Sequence, residues 1–192
     1  MTDTLSKLFG SAARVKLLRL FLFNNEQTFT VAEAAARIRV NTKETSREML
    51  LLRKLGAIVR DGRGTVPRYR LNGDFSYLRA LQALLLNAPE RANDIYARIK
   101  KSGTLKLVVV AGVFVGDWEG RVDLLVVGDR VDEPTLRRAI RLLESEVGKE
   151  IRYTLLTTQE FYYRLNMNDH LVRDVLDFTH RIVFDRLDIG LE

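Results

Sequence analysis

The sequence predicts a two-part α+β chain: helices closed by a basic hairpin in the amino-terminal part, and an α/β arrangement in the carboxy-terminal part. Three observations predict it. Apolar residues recur at helical spacing as far as Gly56, where the period shortens to that of strands. Beyond residue 102, apolar runs of strand length alternate with helix-period segments, the order of an α/β layer. Charge divides along the same line, with 18 Lys+Arg against 9 Asp+Glu in residues 1–100 and 13 against 16 in the remainder. The net charge of +6 is therefore a basic half joined to a slightly acidic one. Such a basic half suits a polyanion, which charge alone leaves as DNA or an anionic membrane surface.

The first helix is predicted over Ser11 to Phe23, with Ser11 as cap, Val15, Leu18 and Leu22 on one face, and Asn24-Asn25 as its stop. Thr30 and Glu33 form a capping box for a short helix over Val31–Ile38, whose run of alanines lets a neighbouring helix approach closely. The third helix runs from its cap Asn41 to Gly56, which can leave at positive φ, and Glu44 stands three residues after the cap. Met49, Leu52 and Leu55 are expected as its buried stripe. Its opposite face carries Thr42, Lys43, Ser46 and Arg47, short hydroxyls and long cations that reach base edges and phosphates from a major groove, and Thr45 is counted with them as a candidate DNA contact. Read alone, that face is equally an ordinary solvated one.

Ala57–Arg60, Asp61-Gly-Arg-Gly64 and Pro67–Leu71 read as strand, glycine-rich turn and strand, carrying Arg60, Arg63, Arg68 and Arg70. Three helices followed by a basic hairpin is the order of a winged helix-turn-helix. The combination is more specific than any member, and duplex DNA is the expected partner. The first domain is set at residues 1–73, linker helices at 74–101 and the second domain at 102–192. The linker stretch Phe75–Leu86 is too apolar to stay free, so it buries against the first domain, the second, or its own copy. Its stripe Leu78, Leu81, Leu85 makes a homodimer the expected state, since DNA readers of this type address two half-sites.

A helix over Arg91–Lys101 leads to a strand over Leu105–Val115, a turn over Gly116–Gly120 and a second strand over Val122–Val127. A helix over Pro134–Val147, a strand over Ile151–Leu156, helices over Gln159–Leu165 and His170–Thr179, and a short strand over Ile182–Phe184 complete the expectation. Zero cysteines exclude disulfides and thiolate metal sites, and two histidines make a structural zinc unexpected. No apolar run nears the ~20 residues that span a bilayer. The opening Met-Thr-Asp-Thr-Leu-Ser-Lys lacks the layout of a signal peptide, so a cytoplasmic protein with no membrane partner is expected.

At Val109-Val-Ala-Gly-Val-Phe-Val-Gly116 and Arg121-Val-Asp-Leu-Leu-Val-Val-Gly-Asp129 the sequence resembles the nucleotidyltransferase fold of the DNA polymerase β superfamily. Members carry a strand ending in Gly-Ser, a short helix, then a strand bearing Asp-x-Asp whose carboxylates hold two divalent ions. Nearly the whole chain is similar to small bacterial and archaeal regulators that join a winged helix to such a domain. The resemblance implies a relic nucleotide site at Gly112, Val113, Arg121, Asp123 and Arg152. Val113 stands where the pattern has serine and Arg121 where it has the first carboxylate, while the third strand offers Arg152 and Thr154 but no acid. A guanidinium in place of a metal ligand opposes binding of Mg²⁺. No metal, cofactor or catalysis is therefore expected, and Asp123 is free to pair with Arg121 or Arg152.

These readings imply a sequence-specific transcriptional regulator whose second domain serves dimerisation, sensing of an anionic small molecule, or docking of a protein partner. Two alternatives stand beside it. An active nucleotidyltransferase needs a complete carboxylate set. An antitoxin-like adaptor binds a toxic partner with its second domain and represses their shared promoter with the first.

Overall fold

The computed structural model describes residues 4–62, 64–86, 92–117 and 120–189. The chain is mixed α and β and divides into two compact units, residues 1–88 with 144–149, and residues 89–143 with 150–192. The expected turn over Gly116–Gly120 falls partly outside the described residues, at Trp118 and Glu119, as do Arg63, Arg91 and the Asn87–Pro89 stop of the linker helix.

The first unit opens with α1 (Thr4–Leu8), which the sequence pattern did not announce, followed by α2 (Ala12–Phe23), α3 (Val31–Ile38) and α4 (Thr42–Lys54). Each of the last three begins where a side chain satisfies a free backbone N–H. Ser11 accepts from Arg14 N at 3.2 Å, Thr30 from Glu33 N at 3.2 Å, and Asn41 from Glu44 N at 2.9 Å. The Thr30–Glu33 capping box is complete, whereas the Glu44 carboxylate takes the Asn41 side-chain amide at 3.2 Å. Gly56 closes α4 at φ 78°, a conformation that favours glycine.

The core of this unit is built on Leu17, Leu20, Phe21, Ile38, Met49, Leu52 and Ile58, with Ala34 and Ala35 buried on α3. Leu55 is a correction: it is 58 % exposed. Six residues at about 100° each leave it about 120° away from Met49, so the buried stripe continues through Thr45 and Glu48 instead. A two-stranded antiparallel hairpin follows, β1 (Ile58–Asp61) with β2 (Arg68–Leu71), in register Ile58↔Leu71 and Asp61↔Arg68. Phe29 adds an antiparallel bridge to Tyr69 with reciprocal bonds of 2.8 Å, tying the hairpin to the segment before α3.

Helix α5 (Leu78–Leu86) starts three residues later than Phe75. Its Leu85 is buried, and Leu78 and Leu81 pack partly buried against the same core, beside α2. Of the three destinations open to this stretch, the first unit takes it. The stripe assigned to a homodimer is therefore spent within one chain, which corrects that assignment.

The second unit runs α6 (Ala92–Ile99), β3 (Thr104–Val110), β4 (Leu124–Asp129), α7 (Glu133–Val147, of which residues 133–143 belong to this unit), β5 (Tyr153–Leu156), α8 (Thr158–Asn166), α9 (His170–Leu176) and β6 (Arg181–Asp185). The sheet order is β5-β4-β3-β6, with β4 and β5 parallel and the other pairs antiparallel. Alternation along β3 and β4 feeds two cores. Val108, Val110, Leu124 and Val126 join Ile95, Ile99, Leu136 and Ile140 on one face; Leu107, Val109, Leu125 and Val127 join Phe161, Val172 and Val175 on the other. Strand β3 ends at Val110 and not at Val115, because a 3-10 turn over Gly112–Phe114 breaks it, with Gly112 at φ 49°.

Helix-start carboxylates give the fold an acid dependence. Glu33, held by the Thr30 N–H and by Arg68, and Glu160, held by the Thr157 N–H, lie below the ordinary carboxylate range. So do Asp129, which accepts from the Thr158 N–H, and Asp132, which accepts from the Thr135 hydroxyl and N–H. A folded-state value below the unfolded one gives stability that is full above the unfolded value, about 4, and lost as pH falls through the folded one. Melting temperature should therefore fall as pH drops below about 4, and Glu33→Gln should flatten that fall. An unchanged acid profile in Glu33→Gln would remove this carboxylate from the account.

Candidate functional site

The exposed side of α4 is a polar and cationic face. Thr42, Lys43, Ser46, Arg47, Arg53 and Lys54 are all exposed, Arg47 with 74 % of its side chain free. Thr45 leaves the expected set. It is 0 % exposed, and its hydroxyl donates to Asn41 O at 3.0 Å, because position 45 lies four residues before Met49 on the buried side.

The helix is tied to α2 by an ion pair whose carboxylate is buried. Glu48, 3 % exposed, accepts from Arg14 Nε at 2.8 Å, and Arg14 also donates to Phe9 O at 2.6 Å. The other Glu48 oxygen lies 3.6 Å from Arg47 Nη2. One buried carboxylate thus ties α4 to α2 and also meets the guanidinium head of the exposed Arg47. At the turn between α3 and α4, Arg39 adopts φ 53°, is exposed, and donates its N–H to Ala35 O. Lys16 Nζ donates to Ile38 O at 3.2 Å, which favours the negative end of α3. Arg39, Arg53 and Lys54 add cations that the sequence reading passed over. Their signal is placement in the turn for Arg39 and in the last turn of α4 for Arg53 and Lys54.

The hairpin splits its arginines. Arg60 is exposed and donates to Gly64 O at 3.0 Å, while Arg70 lies 3.4 Å from Asp61 across the two strands. Arg68 differs from Arg60, since its guanidinium is engaged by neighbouring residues while 41 % of its side chain stays exposed. It donates to the Thr28 hydroxyl at 2.8 Å and Thr28 O at 2.7 Å, and pairs with Glu33 at 2.9 Å. It brackets β2 to the start of α3. Arg63 lies outside the described residues.

In the second unit the residues of the expected relic site are only partly brought together. Asp123, 0 % exposed, accepts four N–H donors: Val113 N at 3.0 Å, Arg152 N at 2.9 Å, and Arg152 Nε and Nη2 at 3.0 Å each. Gly112 packs so closely on this carboxylate that a Cβ there would collide with Asp123 Oδ1. The hydrogen bond and charge of Asp123 hold the Arg152 guanidinium even more firmly protonated than usual, against the opposing effect of its partial burial. Arg121 does not join them. Its side chain is 83 % exposed and lies 3.6 Å from Asp174. Arg152, not Arg121, is therefore the cation in the carboxylate's place of contact. The divalent ions that the resemblance implies do not fit here, because both Asp123 oxygens are filled by N–H donors and a guanidinium lies against them.

A depression of about 640 Å³ lies along α7, lined by Glu133, Pro134, Arg137, Arg138 and Arg141, none of them a residue of the expected site. No helix among the described residues is long and apolar enough to cross a membrane. No family model, curated protein or solved structure matches the chain.

Proposed function

We propose that the first unit is a winged helix-turn-helix that reads duplex DNA with α4 and braces the backbone with the β1–β2 hairpin, and that the whole chain is a transcriptional regulator. The observation that carries this reading is the exposed set Thr42, Lys43, Ser46 and Arg47 on a helix that the Arg14–Glu48 pair ties to α2. Hydroxyls and cations at the start of such a helix are what base readout in a major groove requires. Arg39, Arg60, Arg53 and Lys54 supply the phosphate contacts that set register and affinity without reading sequence.

The second unit, in this reading, is a nucleotidyltransferase-like domain that does no transfer chemistry. Support for this reading comes from the buried carboxylate of Asp123, which follows a strand and a 3-10 turn at Gly112 and is engaged by Arg152 rather than open to a metal. Its role is dimerisation, sensing or partner docking. The homodimer belongs to this reading through paired half-sites, with an interface other than the inward stripe of α5.

Anisotropy of a labelled duplex across a salt series tests the reading. Affinity should fall steeply with salt, and Arg60→Ala should weaken all sequences alike while reducing the log–log slope by about 0.9. Two enriched half-sites about 10 base pairs apart would accompany a dimer. A flat salt response would overturn the DNA reading, and a single isolated half-site would overturn the dimer.

A further inference from the structure

Leu50 is the one apolar side chain among the exposed residues of α4, at 47 % exposure. A lone exposed leucine is ordinary on a protein surface. Its position here is not. Lys43, Arg47, Leu50 and Lys54 stand at i, i+4, i+7 and i+11, so one stripe of the helix carries a leucine between cations, with Ser46 one turn before it. Neighbours that favour a polyanion surround a side chain that can bond neither phosphate nor the polar edge of a base. The major groove offers one apolar feature of matching size, the C5-methyl group of thymine.

We propose that Leu50 is a specificity-determining residue that selects thymine through its methyl group; the assignment rests on the DNA-reading function proposed for α4. The helix rises about 4.5 Å between Arg47 and Leu50, little more than one base step of about 3.4 Å. The selected thymine therefore lies within about two base pairs of the base that Arg47 contacts. Glu48 supports the arrangement, because its pair with Arg14 ties α4 to α2 and so constrains the direction of the whole stripe. Leu50 makes no core contribution comparable to Met49 or Leu52, so it can be changed without unfolding the unit.

The test removes the methyl from the DNA and the leucine from the protein in turn. A duplex is first selected from a random pool by the native chain, and each thymine is then replaced singly by deoxyuridine. One thymine per half-site should show a loss of about three- to tenfold with the native protein, near the scale of one buried methyl group. Leu50→Ala should melt at the native temperature, bind the thymine duplex with about the same loss, and be indifferent to deoxyuridine at that position. An enriched duplex in which no thymine methyl matters, or a deoxyuridine penalty that Leu50→Ala retains in full, overturns the Leu50 assignment and leaves DNA reading intact. A pool with no enriched sequence overturns both.

Discussion

Arg47→Ala should lower affinity for the preferred duplex by about 1–3 kcal/mol, the worth of one bidentate contact to a base edge, and relax selection at a single base pair. The expectation follows from three facts. The side chain is 74 % exposed, it sits in the second turn of a helix capped at Asn41, and its neighbour Glu48 is pinned to Arg14. Truncation leaves the core residues Met49 and Leu52 untouched, so the melting temperature should hold. Competition binding against scrambled duplex separates the effects. The loss should fall on the preferred site, and binding to scrambled sequence should drop only by the share of one phosphate-facing charge. Equal affinity of Arg47→Ala for the preferred duplex would remove α4 as the reader.

Asp123→Ala should destabilise the second unit by about 3–5 kcal/mol, the range for breaking a buried ion pair, without changing any nucleotide chemistry. Two backbone donors, Val113 N and Arg152 N, lose their acceptor, at about 1–3 kcal/mol each where water cannot replace it. The Arg152 guanidinium is 40 % exposed and recovers part of its loss from solvent. Denaturant unfolding of the variant measures the cost. The native chain should transfer no label from a nucleoside triphosphate, because positioned metal supplies most of the stabilisation in such transfer and Asp123 is taken by Arg152. Native labelling that disappears in Asp123→Ala, with stability unchanged, would show a working carboxylate in place of a structural one.

How far the sequence carried can be seen at particular residues. Caps at Ser11, Thr30 and Asn41, the exit at Gly56, and the order of strands and helices after residue 102 were legible, because each rests on local backbone needs. Leu55 and Thr45 were misplaced for one reason. Helical phase was read from apolar identity alone, while the actual stripe runs through a threonine whose hydroxyl folds back on Asn41. Arg68 looked like surface charge, and only the bridge between Phe29 and Tyr69 brings it to Thr28 and Glu33, contacts some 40 and 35 residues distant. The choice between Arg121 and Arg152 as partner of Asp123 was likewise tertiary. Parallel pairing of β4 with β5 sets Arg152 beside the carboxylate, one residue before Tyr153, which pairs with Leu124. The inward turn of Leu78, Leu81 and Leu85 depended on where α2 presents its own apolar face, which no local pattern contains.

Selection of duplexes from a random pool by the native chain, followed by affinity for the winner against scrambled sequence at physiological salt, tests the central claim most directly. A sequence bound about 10³-fold or more tightly than scrambled duplex, and losing most of that ratio in Arg47→Ala, is the expected result. A pool that stays unenriched, with one weak affinity for every sequence, would contradict it.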